Sequence, residues 1–307
     1  MVKVWFILGC TAGGKGAVGR ELAGLVGGQI VSVDSMKVYR RMDIGTAKPS
    51  AEARAAVVHH CIDLVEPSDE FSVARYVERA DRAIESISAA GAVPLAVGGT
   101  SLYIKALSEG LFEGPSADAA TRAELRRQAR DEGLPALHAR LAAVDGEAAS
   151  RIHPNDERRI VRALEVYQAT GRPISKLQRQ WDSGRRRHDG VFVGLRRRKD
   201  DQSRRINARA KRMIELGLRD EVAGLLAEPG GLSDQAAQAV GYAEMIDHLE
   251  GRCTLAEALE RIKINTRRLA KKQRTWQRRF GDVTWLDVAP DEPPAATAER
   301  IAQCLRL

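Results

Sequence analysis

Val4-Trp5-Phe6-Ile7-Leu8-Gly9-Cys10-Thr11-Ala12-Gly13-Gly14-Lys15-Gly16-Ala17 is the stretch whose reading decides the fold. Its apolar first half, closed by glycine, reads as a buried strand. Residues 18–25 carry the pattern of a helix. A strand, a glycine loop with lysine and a helix together make a phosphate-binding loop. The glycines let backbone amides face an anion, and the helix N-terminus adds its dipole. Lys15 brings a point charge to the terminal phosphate oxygens. The pattern G-x-x-x-x-G-K-[ST] is met in register from Gly9 through Cys10, Thr11, Ala12, Gly13 and Gly14 to Lys15, but its hydroxyl position is Gly16. The bland alternative is a glycine-rich turn that binds nothing, and the register behind a clear strand argues against it. The loop leaves open which phosphate compound it holds.

Working outward, residues 29–34 form a second strand pattern that ends in Asp34. Residues 35–49 are polar, contain glycine and close with Pro49, which predicts a functional loop. Residues 60–65 read as a short strand, Ser72 caps a helix to residue 89, and residues 93–100 read as another buried strand before a helix from Ser101. Strands alternating with helices predict a parallel α/β sheet. Ligands of such sheets sit at the carboxyl ends of strands, so Lys15, Asp34 and Thr100 are expected to converge. The strand that would carry a Walker-B acid ends in Gly98-Gly99-Thr100, without one. That, with the missing hydroxyl at Gly16, weakens a kinase reading, because phosphoryl transfer leans on the metal those groups hold.

From Ser116 the strand signals stop, and residues 121–132, 134–144 and 155–170 are helical in pattern. Asn155 is the expected N-cap of the last of these, with Ile160, Leu164 and Tyr167 as its buried stripe. A loop over residues 183–190 ends the block, a strand returns at 191–195, and helices follow at 202–216, 220–227, 242–250 and 255–280. The expectation is therefore a phosphate-loop α/β core over 1–115, an all-helical insertion over 116–189, and the rest of the core over 190–307. In the long last helix, Ile262, Leu269 and Trp276 recur every seven residues as an expected apolar seam. From Arg261 to Phe280 the basic residues are Arg261, Lys263, Arg267, Arg268, Lys271, Lys272, Arg274, Arg278 and Arg279, with no acid among them. Such a run is usually a solvated face; the sharper reading is a surface for a polyanion, most often nucleic acid.

The composition is that of a soluble globular protein: 307 residues, 29% charged, 44% hydrophobic, net charge +8. No apolar run has transmembrane length, and the apolar N-terminus is too short and wrongly flanked for a signal peptide. Cys10, Cys61, Cys253 and Cys304 are scattered, with no C-x-x-C pair. That argues for a reducing cytosol, and against a disulfide framework or a structural zinc site.

Read together, the motifs resemble those of the tRNA dimethylallyltransferases (tRNA isopentenyltransferases). They are the loop from Gly9 to Lys15, Asp34-Ser35-Met36-Lys37-Val38-Tyr39, and Met42-Asp43-Ile44-Gly45-Thr46-Ala47-Lys48-Pro49. Further pieces are His59-His60-Cys61-Ile62-Asp63, Gly98-Gly99-Thr100 with Leu102-Tyr103, and Arg151-Ile152-His153-Pro154-Asn155-Asp156 with Arg159, Arg162 and Glu165. The late ones are Arg205 with Arg209, Gly217-Leu218 with Glu221, Val240-Gly241-Tyr242, and residues 266–271 with Gln273 and Trp276. The resemblance spans nearly the whole chain.

It implies transfer of the dimethylallyl group from dimethylallyl diphosphate to the exocyclic amine of the adenosine just 3′ of the anticodon, in tRNAs reading codons that begin with U. The loop would then hold a diphosphate leaving group and not ATP, which suits the absent Walker-B acid. By the resemblance Asp34 is the base that orients the amine and takes its proton. Lys15 and Arg209 would neutralise the diphosphate with Mg²⁺ assisting, and Thr100 would lie near the metal and the target nucleotide. Ser35, Met36, Lys37 and Val38, with Arg158, Arg159 and Arg162, match segments that contact the anticodon stem-loop, and Arg122 its backbone. The target adenine would have to leave its stack to react.

On their own, Asp34 could be a cap, Arg209 a surface residue, the insertion arginines a solvated face, and Tyr39 and Tyr103 packing residues. His59, His60 and His153 read as structural. The chain departs from the family pattern at Cys10, usually Pro, Gly13, usually Ser, and Gly16, usually Thr or Ser. Gly16 predicts a weaker hold on the donor and a raised Mg²⁺ requirement. The expected protein is a cytoplasmic monomer, with no zinc finger of the kind some eukaryotic relatives carry. An adenylate isopentenyltransferase is the near rival; a small-molecule kinase and a tRNA-binding protein with a degenerate loop are the distant ones.

Overall fold

The computed structural model describes residues 1–111, 114, 118–178 and 186–305. These form two compact units, residues 1–108 with 187–307, and residues 109–186. The expected junction at 115/116 and residues 183–185 of the 183–190 loop lie outside the described residues.

The first unit begins β1 (Lys3–Gly9), α1 (Lys15–Val26), β2 (Gly28–Val33), α2 (Ala51–Ala56), β3 (His59–His60), α3 (Val73–Ala89), β4 (Val93–Gly98) and α4 (Ser101–Glu109). In the second unit come α5 (Ala119–Asp131), α6 (Leu134–Val144), α7 (Gly146–Arg151), α8 (Glu157–Thr170) and α9 (Ile174–Leu177). The chain then resumes the first unit with β5 (Asp189–Arg196), α10 (Lys199–Glu215), α11 (Leu218–Ala227), α12 (Asp234–Ala237), α13 (Tyr242–Leu249), α14 (Leu255–Gln277), β6 (Val283–Asp287) and α15 (Pro294–Leu305). Arg187 N donates to Ser108 O at 2.9 Å, so the chain resumes where it left off.

The sheet is parallel throughout, in the order β3-β2-β4-β1-β5-β6. β1 lies inside it, and both its faces are covered, which is why its sequence is one apolar run. Side chains alternate across it. Trp5 and Ile7 join Leu95, Val97, Val193 and Leu195 in a cluster with Val18 and Leu22 of α1 and Ile301 of α15. Phe6 stacks on Phe192, its register partner in β5, at 4.5 Å between centroids. A side chain at Gly98 would run into the Val33 carbonyl, so β4 closes on β2 only with glycine there. The second unit has its own core, in which Leu125, Leu137, Leu141, Ile160, Leu164 and Val166 are buried.

Four expectations are corrected. The N-cap of α8 is Asp156, whose carboxylate accepts from Arg159 N at 3.2 Å; Asn155 instead donates its N–H to His153 Nδ1 at 3.1 Å. The strand expected at 60–65 is only His59–His60, because Cys61 and Asp63 take positive φ, and Val65 makes a single bridge with Tyr39. In α14, Leu269 is 37% exposed. The buried line there runs through Ala258, Ile262, Lys263, Ala270 and Gln277, so beyond Ile262 the buried face lies one position round from the expected Leu269 and Trp276. Finally, β6 and α15 complete the sheet and cover α1 where no element was expected.

Candidate active site

The loop after β1 folds as its glycines require. Gly14, the N-cap of α1, sits at φ 95°, which a side chain would strain. Gly13 N turns back to Cys10 O at 3.1 Å, and Lys15 Nζ donates to the same carbonyl at 2.7 Å. Burial pulls the Lys15 ammonium down to about 8, against the charge of Asp34.

Asp34 follows β2 directly. One of its oxygens accepts from Met36 N at 3.0 Å, and the other has no hydrogen bond among the described residues. Thr100 follows β4, and both Gly99 N and Thr100 N donate to Val33 O at 3.2 Å. Thr100 Oγ1 accepts from Ser35 N at 3.1 Å, which fixes the turn that carries Asp34. Arg209, in α10, reaches Thr11 Oγ1 at 3.4 Å. Lys37 lies within electrostatic range of Asp34 and Arg209; burial lowers its ammonium, and Asp34 opposes the shift. Burial likewise lowers the Arg209 guanidinium, again with Asp34 opposing. Three cations thus gather around one carboxylate. Their excess charge, partly desolvated, is a site for an anion.

A cavity of about 100 Å³ opens from this group. Thr11, Asp34 and Arg209 make its polar end, and Met36, Ile206, Met213, Val240, Ile262 and Leu269 give it an apolar body. It thus has room for a small apolar group beside a carboxylate and a cation. The exposure of Leu269 has its explanation here, because its side chain lines the cavity.

The side chains do not enclose a Mg²⁺ ion by themselves; such an ion would be held through one or two carboxylates together with the substrate's phosphates and water. Mg²⁺ asks for near-octahedral oxygen ligands. Among the described residues Asp34 is the only acid lining the cavity, Gly16 has no hydroxyl, and no cluster of three His, Cys, Asp or Glu side chains occurs.

Sequence reasoning missed a second set of residues, which hold the loop from behind. Gln273 of α14 accepts from Thr11 N at 2.7 Å through Oε1 and donates to Gly99 O at 3.0 Å through Nε2. It ties the phosphate loop to the end of β4. Gln277, one turn on and 1% exposed, donates to Gly9 O at 3.1 Å, and Cys10 Sγ donates to Ala270 O at 3.4 Å. From α10, Gln202 donates to Thr11 O at 2.8 Å and Arg205 to Ala12 O at 3.0 Å; Arg197, at the end of β5, donates to Gly13 O at 3.1 Å. Every loop carbonyl from Gly9 to Gly13 therefore has a side-chain donor. The signals in the sequence were the motif positions Arg205 and Gln273, to which no role was attached, and Ala270, Gln273 and Gln277 at helical spacing.

The Asp43 to Pro49 motif supports the site instead of lining it throughout. Glu221 of α11 accepts from Asp43 N, Ile44 N and Gly45 N at 3.0, 2.7 and 3.3 Å, and from the Tyr242 hydroxyl at 2.6 Å. Lys48, its side chain 1% exposed, bridges Asp43 and Asp63 at 2.7 and 2.6 Å. Gly45 and Thr46 thereby reach the cavity wall. Tyr39 and Tyr103 are buried packing residues, the latter stacked on Tyr76. His59 and His60 bond to Val57 O and the Gln29 side chain.

In the second unit, Arg122 and Arg162 meet at the buried carboxylate of Glu165, at 3.2 and 2.8 Å. Arg158 is exposed, and Arg159 lies 3.3 Å from Asp156.

Comparison with known proteins adds to this geometry. A profile described as IPP transferase matches residues 37–280. A tRNA dimethylallyltransferase of Geobacter sulfurreducens is 47% identical over 285 residues, 93% of this chain and 92% of its own. That of Anaeromyxobacter dehalogenans is 44% identical over 300 residues, covering 98% and 99%. Among solved structures, the full-length tRNA isopentenylpyrophosphate transferase of Bacillus halodurans matches with TM-score 0.71 and 41% identity, over 100% of this chain and 97% of its own. A eukaryotic dimethylallyltransferase acting on tRNA matches with TM-score 0.81 and 26% identity, over 98% and 78%.

Proposed function

The chain belongs to the IPP transferase family, and from that premise we propose that it transfers a dimethylallyl group from dimethylallyl diphosphate to an adenosine of tRNA. The acceptor in this reading is the exocyclic amine of the adenosine 3′-adjacent to the anticodon, in tRNAs that read codons beginning with U. The observation that carries the reading is Asp34 among Lys15, Lys37 and Arg209 at the polar end of an apolar cavity.

The amine is a poor nucleophile, because its lone pair is delocalised into the ring. As its nitrogen bonds to the first carbon of the dimethylallyl group, the carbon–oxygen bond breaks and the electron pair leaves with the diphosphate. The amine proton passes to the unbonded oxygen of Asp34. Lys15 and Arg209 stabilise the charge that grows on the leaving diphosphate, and the loop amides add to it. The apolar wall from Met36 to Leu269 receives the five-carbon chain and keeps water from the allylic carbon. Thr100 sets the turn that aims Asp34. Mg²⁺ brought with the diphosphate would neutralise part of the leaving group's charge beside Lys15 and Arg209.

Ser35, Met36, Lys37 and Val38, with Arg158 and Arg159, are the proposed contacts to the anticodon stem-loop. Arg122 and Arg162 offer the remaining charge of a cluster that Glu165 holds in place. The protein acts in this reading as a cytoplasmic monomer; no described helix is long and apolar enough to cross a membrane. Incubation with labelled donor and unmodified anticodon stem-loop, beside AMP, tests the proposal: label in the RNA supports it, and label only in AMP moves the assignment to the free-nucleotide rival.

A further inference from the structure

Gly16 stands where the phosphate-loop pattern has a hydroxyl. It lies in the first turn of α1 and is exposed. A side chain there would meet one group only, the Arg20 guanidinium, whose Nη1 is 3.8 Å from the Cβ position. Arg20 is one turn further along the same face. Helical side chains lean toward the N-terminus, so its guanidinium reaches back over the site the hydroxyl would occupy.

In the free protein that position has positive charge around it and, among the described residues, no counter-ion. Arg20 is half-buried and has no hydrogen-bond or ion-pair partner among the described residues. It leans toward the positive end of α1, and Lys37 and His59 lie within its electrostatic range. A guanidinium with no counter-ion of its own is free to pair with a bound anion. The guanidinium fork suits bidentate contact with phosphate oxygens better than any other side chain.

We propose that Arg20 is a donor-binding residue, its guanidinium taking the outer face of the diphosphate where a loop hydroxyl and its metal would otherwise act, so that this chain holds diphosphate without Mg²⁺. The proposal rests on the prenyl-transfer reading of the site. It reverses the expectation from the sequence alone that glycine at this position raises the Mg²⁺ requirement. An extra cation now stands where the ligand oxygen was lost.

The test is calorimetric titration of the full chain with inorganic diphosphate, in chelator and in Mg²⁺, for the parent, Arg20→Gln and Arg20→Lys. A hydrogen bond to a charged group is worth on the order of tenfold to a hundredfold in affinity. The parent should bind diphosphate in chelator. Arg20→Gln should bind at least about tenfold more weakly there, with a smaller loss in Mg²⁺, and Arg20→Lys should recover part of the difference. In turnover assays the donor KM of Arg20→Gln should rise while kcat holds. If Arg20→Gln also melts early, Arg20→Lys decides, since it keeps the charge. A parent that needs Mg²⁺ to bind diphosphate overturns the proposal, as does an Arg20→Gln variant that binds it like the parent. Arg20-dependent diphosphate binding without prenyl transfer to any acceptor would overturn the reading of the reaction and leave this inference standing.

Discussion

Replacing Gln273 with leucine should loosen the phosphate loop without unfolding the protein. The leucine side chain fills nearly the same space but neither accepts from Thr11 N nor donates to Gly99 O, contacts now at 2.7 and 3.0 Å. Each lost hydrogen bond costs about 0.5–1.5 kcal/mol net, and the half-buried backbone groups left behind raise the total to about 1–3 kcal/mol. Gln277, Gln202, Arg205 and Arg197 still hold the other loop carbonyls, so the loss falls on the spacing between the loop and the end of β4. If the binding-competent spacing is disfavoured by that much, donor affinity drops by about 5- to 150-fold. Steady-state titration of dimethylallyl diphosphate should show a raised KM, with the melting temperature little changed. Gln273→Glu should be worse than leucine: it cannot donate to Gly99 O, and it adds a negative charge beside the diphosphate site. Parent-like kinetics in Gln273→Leu would refute the claim that α14 sets the geometry of the loop.

Asp34→Asn should lower kcat by about 10²–10⁴, because an amide cannot take the amine proton, and should leave RNA binding intact in a gel-shift assay. Diphosphate affinity in chelator should fall as pH rises through about 8, where the buried Lys15 ammonium loses its charge in the free site, and this dependence should vanish in Lys15→Met. Affinity for the anticodon stem-loop should fall steeply with salt, and Arg158→Ala should reduce that slope by about one unit with no change in melting temperature; a slope that does not change removes Arg158 from the interface.

Much of this was legible in the chain. The run from Val4 to Ala17 specified a strand, a loop and a helix, and strand polarity alone predicted that Lys15, Asp34 and Thr100 would converge. What escaped was the support. Gln202, Arg205 and Gln277 act on loop carbonyls and Gln273 on Thr11 N and Gly99 O, and a contact to backbone leaves no partner pattern in sequence. β6 is only five residues long, and α15 is as long as α1 but stands where no element was expected; they take their places by pairing with β5 and packing on α1. The heptad in α14 was a real spacing with the wrong meaning, since Leu269 turns to the cavity and not to the core. Arg122 and Arg162 read as free positive charge until Glu165, on the buried side of α8, was seen between them.

The central claim is that Asp34 and its ring of cations perform prenyl transfer to RNA. Its most direct test is mass spectrometry of an unmodified anticodon stem-loop after incubation with the protein and dimethylallyl diphosphate, with nucleoside digestion to locate the product. The account predicts one dimethylallyl group on the adenosine 3′-adjacent to the anticodon, with diphosphate released in equal amount and neither product formed by Asp34→Asn. An unmodified RNA, or modification that persists in Asp34→Asn at the parent rate, would contradict it.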